Sequence, residues 1–195
     1  MLVSLQLPAG AAVLMVDGDP DEALVARCLG GELDAFESIV HRYQRVLFNA
    51  AYRLLGDRED ARDVAQAALV KAYEKLASFD PHYRFFSWIY RIAVNEAHNT
   101  RDRRRPSAPI AADLPDGRGR GLDAAIESRE RSDSVQAALL RLGPEDREVI
   151  VLRHFAEMSY AEIGGALGLA EKTVKSRLHE ARQRLGRLLG PESAR

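Results

Sequence analysis

Residues 106–122, PSAPIAADLPDGRGRGL, place three prolines and three glycines in seventeen positions with no apolar periodicity. Proline removes a backbone donor and fixes φ, while glycine loses more backbone freedom on ordering than any other residue. The stretch therefore supports neither helix nor strand and reads as a flexible linker, reaching at most ~60 Å when extended. The chain then reads as two domains joined by a flexible strap. Leu, Ala, Arg and Glu dominate on both sides, and these residues favour helix over strand. The expected fold class is all-α, with two small helical domains. Their expected bounds are a leader at 1–19, a first domain at 20–105, the linker at 106–122, a second domain at 123–190 and a tail at 191–195.

Upstream of the linker, Leu33, Phe36, Ile39, Val40, Tyr43, Val46, Leu47, Ala50, Leu54 and Leu55 recur mostly at steps of three and four. That spacing puts them on one face of a long helix. Gly56 stops it, and DRED at 57–60 loads acids onto the first turn of the next helix, where the dipole favours them. The second helix turns Ala61, Val64, Ala65, Ala68, Leu69, Ala72, Tyr73 and Leu76 toward the core. The segment SFDPHY breaks it at Pro81. A third helix, FFSWIYRIAVNEAHN, runs into Arg101, Arg103, Arg104 and Arg105. Residues 1–16 hold short apolar pieces interrupted by Pro8 and Gly10, without the basic start and unbroken apolar core of a secretory signal. They read as a disordered leader, with Met15 as an alternative initiator.

After the linker, one helix ends at Leu142. GPEDREVIVLRHF then opens with Pro144 at a helix start and buries Val149, Ile150, Leu152 and Phe155. In SYAEIGGALGLAEKTVKSRLHEARQRL, Ser159 and Glu162 stand three apart, the spacing of a capping box. Ile163 and Leu167 are core positions of a short helix, and Gly164 lies where a crossing helix leaves no room for a larger side chain. Gly168 supplies the positive φ of a tight turn that Leu169 plugs. The next helix starts at Ala170–Glu171 without a Ser, Thr or Asn cap, and buries Val174, Leu178, Ala181, Leu185 and Leu188. Its other face shows Lys172, Thr173, Lys175, Ser176, Arg177, His179 and Arg182, donors suited to phosphates and to base edges in a major groove. A helical hairpin with a solvated basic face is the plainer reading. The capping box, small residue, turn glycine and basic second helix in register favour a DNA-binding helix-turn-helix.

The net charge of −1 conceals segregation. Residues 17–63 hold eleven acids against six arginines, residues 84–105 six arginines against two acids, and residues 171–190 six Lys/Arg against two acids. Two basic segments so far apart in sequence imply two separate contacts with a polyanion. The single cysteine, Cys28, excludes an internal disulfide framework, fits a reducing cytoplasm and reads as a packed small residue. The five histidines show no pair at ligand spacing, so no metal site is expected. No phosphate-cradling glycine loop and no nucleophile–base pair is visible, so neither catalytic residues nor a cofactor are expected. No apolar run approaches the roughly 18 residues of a membrane span.

These motifs resemble the extracytoplasmic-function (ECF) sigma factors, the two-domain branch of the sigma-70 family, over roughly residues 20–190. DREDARDVAQAALVKAYEKL and FFSWIYRIAVNEAHN carry the resemblance in the first domain. LLRLGPEDREVIVLRHF and MSYAEIGGALGLAEKTVKSRLHEARQRL carry it in the second. It implies a factor that binds the β′ and β subunits of core RNA polymerase, places the helix-turn-helix in a −35-type duplex, and melts and captures −10-type promoter DNA. It also implies an anti-sigma partner. Asp60, Asp63 and Gln66 match the segment that docks on a β′ coiled coil, with departures at Ala67, where an acid is common, and Leu69, where an aromatic is common.

The segment from Phe79 to Arg105 resembles the part that opens and reads the −10 element. Such reading needs cations along a backbone path, with aromatics or amides to hold an unstacked base. Arg84, Arg91, Asn95 and Arg101, with Phe85, Phe86, Trp88 and Tyr90, supply that mixture. Trp88, Ile89 and Ile92 equally fit a buried stripe, and Asn95 is the better candidate for a base contact. The alternative is a helix-turn-helix regulator of the LuxR kind, whose second helix also favours an EKTVK-like start and whose first domain would sense a ligand or dimerise.

Overall fold

The computed structural model describes residues 19–103 and 122–190, with side chains in the second segment described from Ser132 onward. The leader through residue 18, Arg104, Arg105, linker residues 106–121 and the tail at 191–195 lie outside the described residues. Those described form eight helices and no strand. The first four are α1 (Asp21–Leu29), α2 (Leu33–Leu55), α3 (Arg58–Glu74) and α4 (Phe85–Arg103). The last four are α5 (Leu122–Arg141), α6 (Pro144–His154), α7 (Tyr160–Leu167) and α8 (Glu171–Leu189).

Local chemistry sets the breaks in the first domain. Gly56 ends α2 in the left-handed region at φ 75° with its N–H on the Tyr52 carbonyl. Asp57 then caps α3, its carboxylate accepting from the backbone N–H groups of Glu59 and Asp60. A 3-10 turn at Leu76–Ser78 leads into the Pro81 break ahead of α4. The long α2 packs against α1, α3 and α4. It contributes Ile39, Tyr43, Leu47 and Ala50 to a core completed by the small residues Ala61, Ala65, Ala68 and Ala72 of α3. Alanines along one face let α3 approach closely.

Most apolar positions face inward as their spacing predicts, with two exceptions. Leu33 is 68% exposed because it opens α2, and Tyr73 is 48% exposed, lying edge-on to Phe36 at 4.8 Å on the surface. Cys28 is half-buried against the first-domain core.

In the second domain, Ser159 and Glu162 close the reciprocal capping box of α7, and Gly168 turns the chain at φ 67°. Val174, Leu178, Ala181 and Leu185 of α8 are buried against α6 and α7, while Leu188 is half-buried. Ala170 starts α8 without a side-chain cap. Gly164 is needed for a different reason than a crossing helix: a Cβ there would sit 2.6 Å from the Leu169 carbonyl oxygen of its own turn. Helix α6 buries Val151 as well as Val149, Ile150 and Leu152. Four consecutive buried positions mean a helix covered on all sides, and α6 lies among α7, α8 and α2 of the other domain.

Neighbouring glycines in α7 should respond oppositely to one substitution. Gly165 has nothing within 4 Å of an added Cβ, so Gly165→Ala should stabilise the chain by about 0.5–1 kcal/mol. Gly164→Ala should destabilise it by about 1–3 kcal/mol, because the obstructing atom is backbone. Urea unfolding of the two variants checks both signs.

Candidate nucleic-acid interface

Helix α8 presents its donors because its other face is fixed in the core. Val174 and Leu178 are fully buried, which turns Lys172, Thr173, Lys175, Ser176, His179 and Arg182 to solvent and leaves Arg177 half-buried. Their engagements differ. Lys175 pairs with Glu171 at 2.8 Å and stands 5.5 Å from the Tyr160 ring centroid. Arg177 pairs with Glu145 of α6 at 2.9 Å, and Ser176 donates to the Thr173 carbonyl at 3.0 Å. His179 contacts Gln183 at 2.9 Å. Arg184, which added to the basic count of this segment, is tied to Asp146 and Glu180.

Arg182 is braced from beneath. Its Nε–H donates to His154 Nε2 at 3.1 Å, at the end of α6. Burial, then the neighbouring Arg182 and Arg153 charges, depress the His154 pKa to about 4. The imidazole is therefore neutral and can accept that hydrogen bond.

On α4, Phe85, Ile89, Tyr90, Ala93, Val94 and Ala97 are buried, and Arg91 and Asn95 are exposed one turn apart on the opposite face. Full burial of Phe85 and Tyr90 removes both rings from any role in holding a base. Phe85 instead packs on Phe79 and Tyr43, and Tyr90 on Phe86. Phe86 and Trp88 are half-buried, with Trp88 set against Phe79 and Phe85. Sequence reasoning passed over Tyr83, which is 68% exposed immediately ahead of α4. Its place in the polar break after Pro81 was the available signal.

Among the described residues of this segment, the arginines Arg84 and Arg101 meet the other domain. Arg84 lies 3.9 Å from Glu162, and Arg101 donates to Glu148 at 3.0 Å. Asp60 and Asp63 line a groove of about 330 Å³ between α3 and α4, with Val64, Ala67, Glu96, Thr100 and Arg103. Gln66 is exposed on α3 outside that lining. No group of three or more His, Cys, Asp or Glu able to hold a metal ion occurs among the described residues. No described helix is long and apolar enough to cross a membrane.

Comparison with known proteins falls on both halves. The family described as Sigma-70 region 2 matches residues 39–106, and Sigma-70, region 4 matches residues 132–185. The chain is 34% identical over 170 residues to the ECF RNA polymerase sigma factor SigW of Bacillus subtilis, covering 82% of this chain and 91% of that protein. Among solved structures, CnrH in complex with the cytosolic domain of CnrY is similar at TM-score 0.67 and 32% identity, covering 88% of this chain and 97% of that one. The sigma factor RpoE in complex with the anti-sigma factor NepR, from Bartonella quintana, is similar at TM-score 0.66 and 26% identity, covering 82% and 99%.

The depressed His154 pKa gives a signed expectation. An unfolded histidine takes up a proton near its ordinary value, whereas the folded one resists until about pH 4. The unfolded state thus binds more protons in between, and stability is lost as pH falls through that window. Melting temperatures measured from pH 7.5 to 5 should fall more steeply for the wild type than for His154→Gln, which keeps an acceptor for Arg182. Parallel curves would show that His154 titrates normally.

Proposed function

This chain belongs to the extracytoplasmic-function sigma factors of the sigma-70 family, RNA polymerase sigma factors, and we propose a division of labour within it. Residues 20–105 dock on core polymerase and capture −10-type promoter DNA, and residues 123–190 read a −35-type duplex. The observation that carries the reading is the pair of exposed donor faces, Arg91–Asn95 on α4 and Lys172–His179 on α8, each backed by a fully packed stripe. Buried stripes fix the direction of a face, which sequence recognition requires and a merely solvated basic helix does not.

On α8, Lys172, Thr173, Lys175 and Ser176 lie on the first two turns, the part of a second helix that reaches base edges in a major groove. Arg177 closes the second turn, and His179 and Arg182 lie further along, suited to flanking phosphates. Arg84 just ahead of α4, with Arg91 and Arg101 on it, supplies the backbone path, and the Asn95 amide the base contact. The groove bearing Asp60 and Asp63, with Gln66 beside it, suits a basic helix of the polymerase β′ subunit. The LuxR-type alternative loses its footing because residues 39–106, its would-be sensing domain, match Sigma-70 region 2. An anti-sigma partner follows from the resemblance to a sigma factor solved with one.

Run-off transcription by core polymerase with and without the chain tests the function, and a base-reading variant tests the assignment. Asn95→Ala should blur preference at one −10 position by about 1–3 kcal/mol and lower open-complex formation. It should leave core affinity and −35 duplex binding unchanged. Permanganate footprinting beside a core-binding titration checks both. Normal melting with normal base preference would make Asn95 structural.

A further inference from the structure

Lys175 and Arg182 stand seven positions apart on α8, which puts them on one face of it, yet the two cations are held in different ways. Lys175 pairs with Glu171 at 2.8 Å. Elsewhere on the helix Arg177 pairs with Glu145 at 2.9 Å, and Arg184 with Asp146 and Glu180. A DNA phosphate approaching any of these three must first displace a carboxylate. Arg182 is exposed, and its partner among the described residues is His154, whose Nε2 accepts from its Nε–H at 3.1 Å.

That difference matters because arginine divides its donors. Nε–H lies along the side of the guanidinium, and the two Nη groups form its end. His154 takes Nε–H and leaves the end pair, which can grip a phosphate through two parallel hydrogen bonds. The bonds to histidine and to DNA are therefore compatible at Arg182, whereas carboxylate and phosphate compete at Lys175, Arg177 and Arg184.

The histidine is also a firm support. It closes α6 and is half-buried, on a helix packed against α7 and α8. Burial, then the Arg182 and Arg153 charges, hold its pKa at about 4, so at neutral pH the ring carries no charge. It steadies Arg182 and subtracts nothing from its charge.

We propose that His154 is a positioning residue for DNA binding, holding Arg182 by Nε–H so that its two Nη groups form a preset contact for one phosphate beside the groove that α8 enters. The inference rests on the reading of Arg182 as a phosphate contact given above. An arginine waving in solvent loses rotamer freedom when it grips a phosphate, and here part of that loss is already incurred in the folded chain. Arg182 lies ten residues beyond Lys172, about 15 Å along the axis. A fixed phosphate contact that far from the base-reading turns sets the angle at which the helix lies in the groove.

The test uses the full chain and a short mixed-sequence duplex, because a phosphate contact needs no particular sequence. Binding is read by anisotropy over a range of salt concentrations. Arg182→Ala should weaken binding and lower the slope of log affinity against log salt by about 0.9, the loss of one phosphate contact. Arg182→Lys keeps the charge, and so the slope, but has no fork to share between histidine and phosphate. It should bind about two- to tenfold more weakly than the wild type. His154→Leu should weaken binding by a similar factor when Arg182 is present and add nothing to Arg182→Ala. His154→Gln should restore binding, since its side-chain carbonyl can accept where Nε2 did.

Full affinity in His154→Leu beside weakened binding in Arg182→Ala overturns the proposal and leaves the phosphate contact of Arg182 standing. Unchanged affinity and slope in Arg182→Ala overturn both. Equal losses from His154→Leu with and without Arg182 also overturn the proposal, because the histidine then acts on the domain and not on that side chain. Arg182→Lys changes an exposed residue and leaves the core untouched, so wild-type affinity in that variant overturns the proposal even if His154→Leu fails to fold.

Discussion

Arg147 is the side chain on which the arrangement of this molecule turns. Its guanidinium donates to the carbonyls of Leu139, Leu140 and Leu142 at the end of α5, and to the Leu54 carbonyl at the end of α2. The last carbonyls of a helix have no partner within it, and one planar fork satisfies those of two helices at once. The same place brings Gly56 against Leu140 and the Tyr52 carbonyl against Gln136. Helix α6, which carries Arg147, is thereby fixed relative to both cores. Everything it presents follows from that: Glu148 toward α4, Glu145 toward Arg177, and His154 beneath Arg182.

The helices and the helix-turn-helix were legible in the sequence because they rest on local rules. The acids on the first turn of α3, the Ser159–Glu162 box and the Gly168 turn each need only residues a few positions apart, and each occurs as its spacing predicts. What could not be read is where each face ends up. Periodicity marks an apolar stripe without saying what covers it, so Val151 was missed and Leu33 and Tyr73 were placed inside. The same limit explains Phe85 and Tyr90, aromatics whose composition suits base stacking and whose position in the α4 stripe puts them in the core. Glu148 and Glu162 carried no signal of their second partners, which lie 47 and 75 residues away in sequence.

Charge segregation proved a coarser guide than charge pairing. Of the basic residues on α8, Lys175, Arg177 and Arg184 each hold a carboxylate, and Arg182 holds a neutral histidine. Surface pairs of this kind are worth about 0–1 kcal/mol and exchange readily with phosphate. They do not remove these residues from the interface so much as keep their long side chains ordered near it. That ordering lowers the entropy lost when DNA arrives.

The contacts between the domains share a property that bears on how easily they part. Three of the four Arg147 hydrogen bonds stay within its own domain, so separation leaves the guanidinium satisfied. Glu162 keeps its capping box, and the Leu54 and Tyr52 carbonyls at the end of α2 can turn to water. Glu148 becomes solvated instead of being stranded, while Arg84 and Arg101 are released for another anion. An interface in which almost every polar group has a fallback carries little polar penalty for opening, unlike a buried ion pair inside one core, and what holds it closed is chiefly the apolar face of α6 against α2. It resembles the polar, moderate interfaces across which domain motion is the ordinary expectation. A linker that can extend to ~60 Å then sets the limit on how far the second domain can travel once those few contacts are exchanged.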